Sequence, residues 1–401
     1  MTQSFIAGAK GEKPRSDLRV KYTPSKKPLS ISVKSTVETL FGKAIKLQAK
    51  DICTDLQIRF GTIEIEDFGA LPFVIAARLE AAIKQAHPKL EKESLPPLRD
   101  FCLYKSRRDR FRRSRLYLPG NQANLMLNAG IHKPDGIILD LEDSISPLEK
   151  EDTRYIVRNA LRSINFCGAE RMVRINQGEL GLKDLEFIVP HNVHLVLIPK
   201  VESAAEVKII DKHILEISIK CDWKEPVFLM PIIESGRGVL KALEIAEAST
   251  NIVALAIGLE DYTADLGVPR TEEGRESFFA RGMIVNAARA AGIQAIDTVY
   301  SDVGNEIGLR ESIREAKSLG FDGKGCIHPR QIKPIHEEFA PSIEEIEKAK
   351  KITLAFDEAE KKGLGVVSLG SKMIDPPVVK RALHTIDLAI ASNLLNLDWK
   401  N

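Results

Sequence analysis

From residue 113 onward, short apolar runs alternate regularly with segments that have helical periodicity. Eight strands alternating with helices over roughly 250 residues are typical of an α/β fold, the (β/α)₈ TIM barrel. A doubly wound open sheet is the alternative, but no G-x-G-x-x-G sequence follows the first run, so dinucleotide binding is not indicated. The apolar runs occupy residues 116–118, 136–141, 172–175, 195–198, 227–233, 252–257, 293–299 and 325–327.

Acidic residues stand where several of these runs end. Glu234 follows the run that stops at Ile233, and Asp261 follows the run that stops at Ile257. On a barrel the carboxyl ends of the strands meet on one face, where active sites lie. Two carboxylates there are suitable ligands for Mg²⁺, which usually completes its octahedron with waters and substrate oxygens. The alternative is that these acids only cap the helices that follow them.

The composition excludes several classes of protein. A net charge of +2 over 401 residues gives no indication of a nucleic acid or membrane partner. No apolar stretch reaches the ~18 residues of a membrane span, and the first residues lack the charged start and apolar core of a signal peptide. The five cysteines are scattered without a C-x-x-C pair, which argues against a disulfide framework or a zinc site. We therefore expect a cytoplasmic protein.

The first ninety residues have a different pattern. Strand-like alternation occurs at residues 18–22, 29–33 and 57–66, and an amphipathic helix is predicted at 72–85. Ser35-Thr36-Val37-Glu38 has the form of a capping box before another helix. These signals predict a small α+β domain at 1–92, a basic linker at 93–112, and a barrel domain with a C-terminal extension at 113–401.

Residues 104–115 are rich in lysine and arginine. Such a run is usually a solvated face of the protein. The more specific interpretation is that this basic run binds the phosphates of a CoA-type substrate.

The barrel region carries several distinctive motifs. They are Arg113-Ser114-Arg115-Leu116-Tyr117-Leu118-Pro119-Gly120-Asn121, Asp140-Leu141-Glu142-Asp143-Ser144, Val173-Arg174-Ile175-Asn176, Ile233-Glu234-Ser235, Gly258-Leu259-Glu260-Asp261-Tyr262 and Ala291-Gly292-Ile293-Gln294-Ala295. Together they resemble the citrate lyase beta subunit, within the HpcH/HpaI aldolase/citrate lyase family of CoA-thioester lyases. The resemblance covers residues 112–385, including the tail segments at 363–369 and 372–375.

This resemblance implies roles for five residues of the barrel. Glu234 and Asp261 are expected to bind Mg²⁺, with Glu234 also facing the substrate. Arg174 is expected to bind the substrate and to stabilise the thioester enolate. Glu142 and Asp143 are expected to order the waters of the metal, or else to cap the next helix.

The resemblance also assigns a role to Asp375. In related lyases an acid at the matching position reaches into a neighbouring subunit and acts there as acid or base. That role implies a homo-oligomer, a trimer or a multiple of one. The alternative is that Asp375 is the N-cap of a helix that begins at Pro376.

Three segments of the first part of the chain, at residues 35–45, 63–71 and 76–83, match another known sequence pattern. They resemble the acyl carrier (gamma) subunit of citrate lyase, and the resemblance covers residues 5–86. In that family a serine carries a phosphoribosyl-dephospho-CoA arm. Ala7-Gly8 and Asp17 match the attachment motif, but the spacing is longer and places Ser16 one residue late. Ser16 is therefore the candidate attachment site, and the alternative is a carrier-like domain without an arm that serves assembly.

These observations predict a Mg²⁺-dependent lyase that cleaves a citryl thioester, as citryl-CoA or on a carrier protein, to an acetyl thioester and oxaloacetate. One alternative is a lyase or hydrolase of free malyl-CoA or citramalyl-CoA with a vestigial carrier domain. Another is a non-catalytic carrier and scaffold subunit. A complete citrate lyase also needs an alpha subunit, which would be a separate partner of this chain.

Overall fold

The computed structural model describes residues 3–8, 14–361, 367–369 and 372–400. The first elements are β1 (Phe5–Gly8), β2 (Leu18–Pro28), β3 (Ser30–Ser35), α1 (Glu38–Asp55), β4 (Phe60–Asp67) and α2 (Pro72–Ala86). The strands form one sheet in the order β1-β2-β4-β3, in which only the β3–β4 pair is parallel. We call this α+β unit, β1 to α2, the N-terminal module. The sequence predicted all of it except β1.

The predicted capping box is wrong. Ser35 is the last residue of β3 and pairs in register with Asp67 of β4. Its hydroxyl donates to the Asp67 carboxylate and accepts the backbone N–H of Val37 at 3.0 Å. Because this hydroxyl already bridges the strand end, α1 begins after Val37 without a side-chain cap.

Eight parallel strands close into a barrel, so the doubly wound alternative is wrong. They are β5 (Ser114–Pro119), β6 (Gly136–Asp140), β7 (Glu170–Arg174), β8 (Leu195–Ile198), β9 (Phe228–Ile233), β10 (Ala254–Ile257), β11 (Gln294–Asp297) and β12 (Gly323–Cys326). Each lies on one of the eight predicted runs. Their alternate side chains point to the barrel interior or to the surrounding helices, which gives an inner apolar cluster around Met172, Leu197 and Met230 and a larger outer one.

Helices cover the outside of the barrel. They are α3 (Ala123–Met126), α4 (Lys150–Ser163), α5 (Gly178–Ile188), α6 (Ala204–Lys220), α7 (Gly236–Leu240), α8 (Ala242–Ala246), α9 (Leu259–Leu266), α10 (Arg275–Ala290), α11 (Glu306–Leu319) and α12 (Ile332–Phe339). A C-terminal hairpin follows, made of α13 (Ile343–Lys361), β13 (Val367–Leu369), β14 (Lys372–Ile374) and α14 (Pro376–Ala391). The tail segment at 363–369, part of the sequence resemblance, lies partly outside the described residues. None of the helices in the described ranges has the length and apolarity that crossing a bilayer requires.

The N-terminal module packs directly on α4 of the barrel, and the two share one apolar core. Glu80 of α2 and Arg158 of α4 form an ion pair of 2.6 Å with both side chains fully buried. Asn159 donates to the backbone oxygen of Phe73 at 3.0 Å. The predicted boundaries at residues 92 and 112 stay predictions, but the module is joined to the barrel by buried polar contacts as well as by the chain.

The basic segment before β5 is solvated in its first part, but its C-terminal end is buried and not available to phosphates. Arg112 is fully buried and pairs with Glu170 at 2.7 Å, and Arg113 pairs with Asp135 at 2.9 Å. Lys105 and Arg107 remain exposed. The C-terminal end of the segment is therefore structural, because Arg112 and Arg113 pair with carboxylates at the amino-terminal side of the barrel.

Candidate active site

Five neighbouring strands, β6 to β10, bring charged side chains to one face of the barrel. A cavity of about 400 Å³ opens there, between the carboxyl ends of the strands. Arg174, Glu234 and Asp261 line it, together with Asp140 and Asp143. The predicted site residues of the barrel therefore do converge at the face where barrel enzymes carry their active sites.

Arg174 is held by an acid that the sequence analysis did not assign. Asp140 and Arg174 are the last residues of β6 and β7 and stand opposite each other in register. The guanidinium donates to both oxygens of Asp140, from Nε at 2.6 Å and from Nη2 at 2.7 Å. Burial alone would raise the pKa of Asp140, but the bonds from Arg174 outweigh burial and lower it. This bidentate pair fixes the direction of the guanidinium.

Glu142 and Asp143 form the next part of the site, in the loop after β6. Nη1 of Arg174 lies 2.9 Å from Glu142 and 3.4 Å from Asp143. Gln177 donates to Glu142 at 3.1 Å. Burial raises the pKa of the Glu142 carboxyl. Glu142 thus contacts Arg174 directly, and its predicted contact with the waters of a metal stays a prediction.

Lys200 connects the acids of the site. Its ammonium lies 3.0 Å from Glu142, 3.1 Å from Asp143 and 3.6 Å from Asp261. Its backbone N–H donates to Glu234 at 2.8 Å. The residue has φ +51°, a left-handed conformation that a non-glycine residue adopts only where its surroundings impose it. Lys200 therefore contacts four carboxylates from three other strands.

Glu234 and Asp261 differ in their surroundings. The Glu234 residue is only 6% exposed, whereas the side chain of Asp261 is 43% exposed. Burial raises the pKa of Glu234 to about 8, and the charge of Asp261 adds to this effect. A carboxylate of this kind gains from a nearby cation. Gly258, at the end of β10, leaves room for Glu234, since a Cβ there would collide with its Oε1 atom.

The carboxylates at the cavity fit a Mg²⁺ ion that is bound through only a few protein ligands. Among the described residues, no group of three or more His, Cys, Asp or Glu side chains is arranged to enclose a metal ion. A pair of carboxylates at an open cavity instead leaves coordination positions for waters and substrate oxygens, as Mg²⁺ prefers. Glu234 and Asp261 are the residues that would hold it.

Two predicted residues lie away from this cavity. Asp375 is the N-cap of α14, where its side chain accepts the backbone N–H of Val378 at 3.2 Å. This is the structural alternative considered above, and its action in a neighbouring subunit stays a prediction. Ser16 lies just before β2, half-buried, with φ +56°, and its backbone N–H donates to Phe68 at 3.2 Å.

Three residues of the site were not predicted from the sequence: Asp140, Lys200 and Arg115. Asp140 was visible as a strand-end acid, and its register opposite Arg174 is the signal that would have assigned it. Arg115 was counted in the basic segment, although it alternates with Leu116 and Leu118 on β5 and so points into the barrel with Tyr117. No sequence signal marks the backbone conformation of Lys200.

Comparison with known proteins places this geometry in a family. Residues 113–329 match the family described as HpcH/HpaI aldolase/citrate lyase. The chain belongs to this family. Residues 7–86 match a second family, described as the malonate decarboxylase delta subunit (MdcD) within the acyl carrier proteins. The two matches confirm a lyase barrel with an acyl-carrier-like domain in front of it.

Individual relatives agree with this assignment. The citrate lyase subunit beta of Haemophilus influenzae is 44% identical over 283 residues, which cover 70% of this chain and 97% of that protein. The human mitochondrial citramalyl-CoA lyase is 33% identical and covers 69% of this chain and 85% of that protein. The CitE protein of Mycobacterium tuberculosis, solved in complex with magnesium, acetoacetate and coenzyme A, aligns with a TM-score of 0.57 at 29% identity. That alignment covers 71% of this chain and 99% of the other. The chain is thus a carbon–carbon lyase of this family.

Proposed function

We propose that the protein cleaves a citryl thioester, citryl-CoA or citryl on a carrier, to an acetyl thioester and oxaloacetate. The observation that supports this most is the convergence of Glu234, Asp261 and Arg174 on one cavity, in a chain 44% identical to a citrate lyase beta subunit. The reaction requires an anionic substrate to be held by its oxygens while a carbon–carbon bond breaks beside a thioester. Carboxylate-bound Mg²⁺ and a guanidinium are groups suited to that task.

When bound, Mg²⁺ would act as a Lewis acid toward the carboxylate and hydroxyl oxygens of the substrate. Glu234 and Asp261 would hold it. Arg174, kept in place by Asp140, presents its charge to the cavity, where it stabilises negative charge that develops on the thioester oxygen. Preorganised charges of this kind contribute about 3–4 kcal/mol each to transition-state stabilisation.

The chemical step is a retro-Claisen cleavage. A base removes the proton of the substrate hydroxyl, the carbonyl of oxaloacetate forms, and the electrons of the breaking carbon–carbon bond pass into the thioester enolate. Protonation of the enolate carbon then gives the acetyl thioester. Asp375 of a neighbouring subunit is the residue that we assign to this proton transfer.

Exchange of Asp261 for Asn tests the metal assignment. We expect loss of Mg²⁺-dependent turnover and of the rise in melting temperature that Mg²⁺ causes, while the fold is retained. Asp265, an exposed acid on the same helix α9, gives the matched control Asp265→Asn. Unchanged metal-dependent turnover in Asp261→Asn would contradict the assignment of Asp261 as a Mg²⁺ ligand.

The function of the N-terminal module is tested separately. If Ser16 carries a phosphoribosyl-dephospho-CoA arm, protein from its native host has a corresponding mass increment that peptide mapping places on Ser16. An unmodified Ser16 favours a lyase that acts on free CoA thioesters.

The proposed function also requires partners. A working carrier requires a citrate lyase alpha subunit, and the assignment of Asp375 requires a homo-oligomer, a trimer or a multiple of one. All five cysteines are unpaired, as expected of the cytoplasm in which we place the protein.

A second candidate is cleavage of citramalyl-CoA or malyl-CoA. It is favoured by the human citramalyl-CoA lyase at 33% identity and by a (3S)-malyl-CoA thioesterase of Cereibacter sphaeroides at 32%. Turnover of purified protein with citryl-CoA, citramalyl-CoA and malyl-CoA discriminates the candidates by their kcat/KM values. No turnover of any of the three supports a scaffold subunit instead.

A further inference from the structure

Arg115 contributes a second guanidinium to the cavity, from the interior of the barrel. It lies on β5 with its side chain in the barrel interior and is 1% exposed. Its guanidinium reaches Met230 Sδ at 3.0 Å, in the middle of β9, and the backbone oxygen of Asp297 at 3.5 Å, at the carboxyl end of β11. The side chain therefore extends toward the face where Glu234 and Asp261 lie, and it lines the same cavity.

This guanidinium has no carboxylate partner among the described residues. Its Nε atom is buried without a hydrogen-bond acceptor, and its two other contacts are a thioether and a carbonyl at the limit of hydrogen bonding. The nearby carboxylate of Asp297 is already bound by Arg281 at 3.2 Å and Lys324 at 2.7 Å. A buried charge without a partner is costly, and burial lowers the pKa of Arg115 accordingly.

Glycines flank Arg115 on both neighbouring strands. Arg115 stands in register with Gly136 of β6 and Gly325 of β12. A Cβ at Gly136 would press on Met172 and lie 3.7 Å from Cγ of Arg115. A Cβ at Gly325 would meet Val299 at 2.7 Å. Both glycines therefore relieve crowding beside β5, and Arg115 occupies a layer of the barrel that branched apolar residues usually fill.

Arg174, by contrast, already has ion-pair partners in Asp140 and Glu142. We infer that Arg115 forms an anion subsite at the floor of the cavity and binds a carboxylate of the acyl part of the substrate. The inference deepens the proposed function and rests on it. A citryl thioester has two free carboxylates, whereas a citramalyl thioester has one carboxylate and a methyl group. A guanidinium without a protein partner therefore selects the dicarboxylate.

The test compares ligands that differ by one carboxylate. Binding of oxaloacetate and of pyruvate, each with Mg²⁺, is measured by calorimetry on the full-length wild-type, Arg115→Met and Arg115→Lys proteins. We expect Arg115→Met to weaken oxaloacetate binding by about ten- to a hundredfold, as loss of a charged hydrogen bond does, with little change for pyruvate. Arg115→Lys keeps the charge and retains part of the preference.

Melting temperature separates a binding role from a structural one. Replacing an unpaired buried charge by methionine should leave the melting temperature of the ligand-free protein unchanged or raise it. The matched control is Arg112→Met, which leaves the buried Glu170 without its ion-pair partner and should lower the melting temperature. Equal weakening of both ligands, no binding of oxaloacetate by wild-type protein, or a lower melting temperature in Arg115→Met overturns the inference. Because these readouts are binding and stability, they stand apart from turnover, which decides the proposed function.

Discussion

The buried pair of Glu80 and Arg158 should hold the N-terminal module on the barrel. Both side chains are fully buried, with bonds of 2.6 and 3.2 Å between them. Arg158→Met leaves Glu80 without its main partner, and removing one member of a buried pair costs about 3–5 kcal/mol. Lys84, 3.0 Å from Glu80, and the N–H of Ser94, at 3.3 Å, remain in the variant. We therefore expect a loss of about 3 kcal/mol in the free energy of unfolding, at the lower end of this range.

Urea unfolding followed by far-UV circular dichroism and by tryptophan fluorescence measures this loss. Both tryptophans, Trp223 and Trp399, lie outside the module. Because the module and the barrel share one core, the two probes should follow one transition. The double variant Glu80→Met/Arg158→Met removes both charges. Its loss in the free energy of unfolding should be about 2 kcal/mol smaller than the sum of the losses in the two single variants.

Glu64→Gln provides a control in the same module, because Glu64 pairs with Lys21 at the surface, where both side chains are about half exposed. Such a pair contributes about 0–1 kcal/mol. An Arg158→Met protein within 1 kcal/mol of wild type, or a separate early transition seen by circular dichroism alone, would refute the reasoning about a docked module.

Two further predictions concern charge. Lys200→Met removes the ammonium that lies 3.0–3.6 Å from three carboxylates, so Mg²⁺ should bind about tenfold more tightly in calorimetry, with Lys200→Arg close to wild type. Weaker binding in Lys200→Met contradicts this reading. Burial and nearby arginines lower the pKa of His191 and of His194 to about 3. The unfolded chain takes up these protons below about pH 6.5, so stability should fall from there toward pH 3, by up to about 1.4 kcal/mol per pH unit for each histidine. His194→Gln should reduce that slope, and an unchanged slope refutes the assignment.

The sequence predicted the elements of the barrel because each strand is a short apolar run between helical segments. It also predicted that Glu234, Asp261 and Arg174 converge, since the carboxyl ends of parallel strands meet on one face. It failed where the outcome depends on contacts between distant residues. Glu80 and Arg158 are separated by 78 positions, and nothing in either helix alone indicates that they pair. Ser35 likewise has the local form of a cap, but its register opposite Asp67 decides otherwise.

The basic segment shows a different limit of sequence reasoning. A run of arginines indicates a charged surface by composition, yet the periodicity of two in β5 places Arg115 inside the barrel. Arg115 was assigned to a charged surface, because an arginine is rarely buried without a partner. Arg112 and Arg113 have partners in Glu170 and Asp135, residues on or next to β7 and β6 that only the closed barrel brings near.

The balance of charge at the cavity connects these observations. Five carboxylates, Asp140, Glu142, Asp143, Glu234 and Asp261, share two cations, Arg174 and Lys200. A sixth carboxylate at the cavity, Glu260, has its own partner in Arg270. The rim of the cavity is therefore short of positive charge, which favours a divalent cation and adds to the effect of burial in raising the pKa of Glu234. The floor has the opposite imbalance, because Arg115 lacks an anion. A substrate that offers oxygens to a metal at the rim and a carboxylate to the floor relieves both, whereas a monocarboxylate relieves only one.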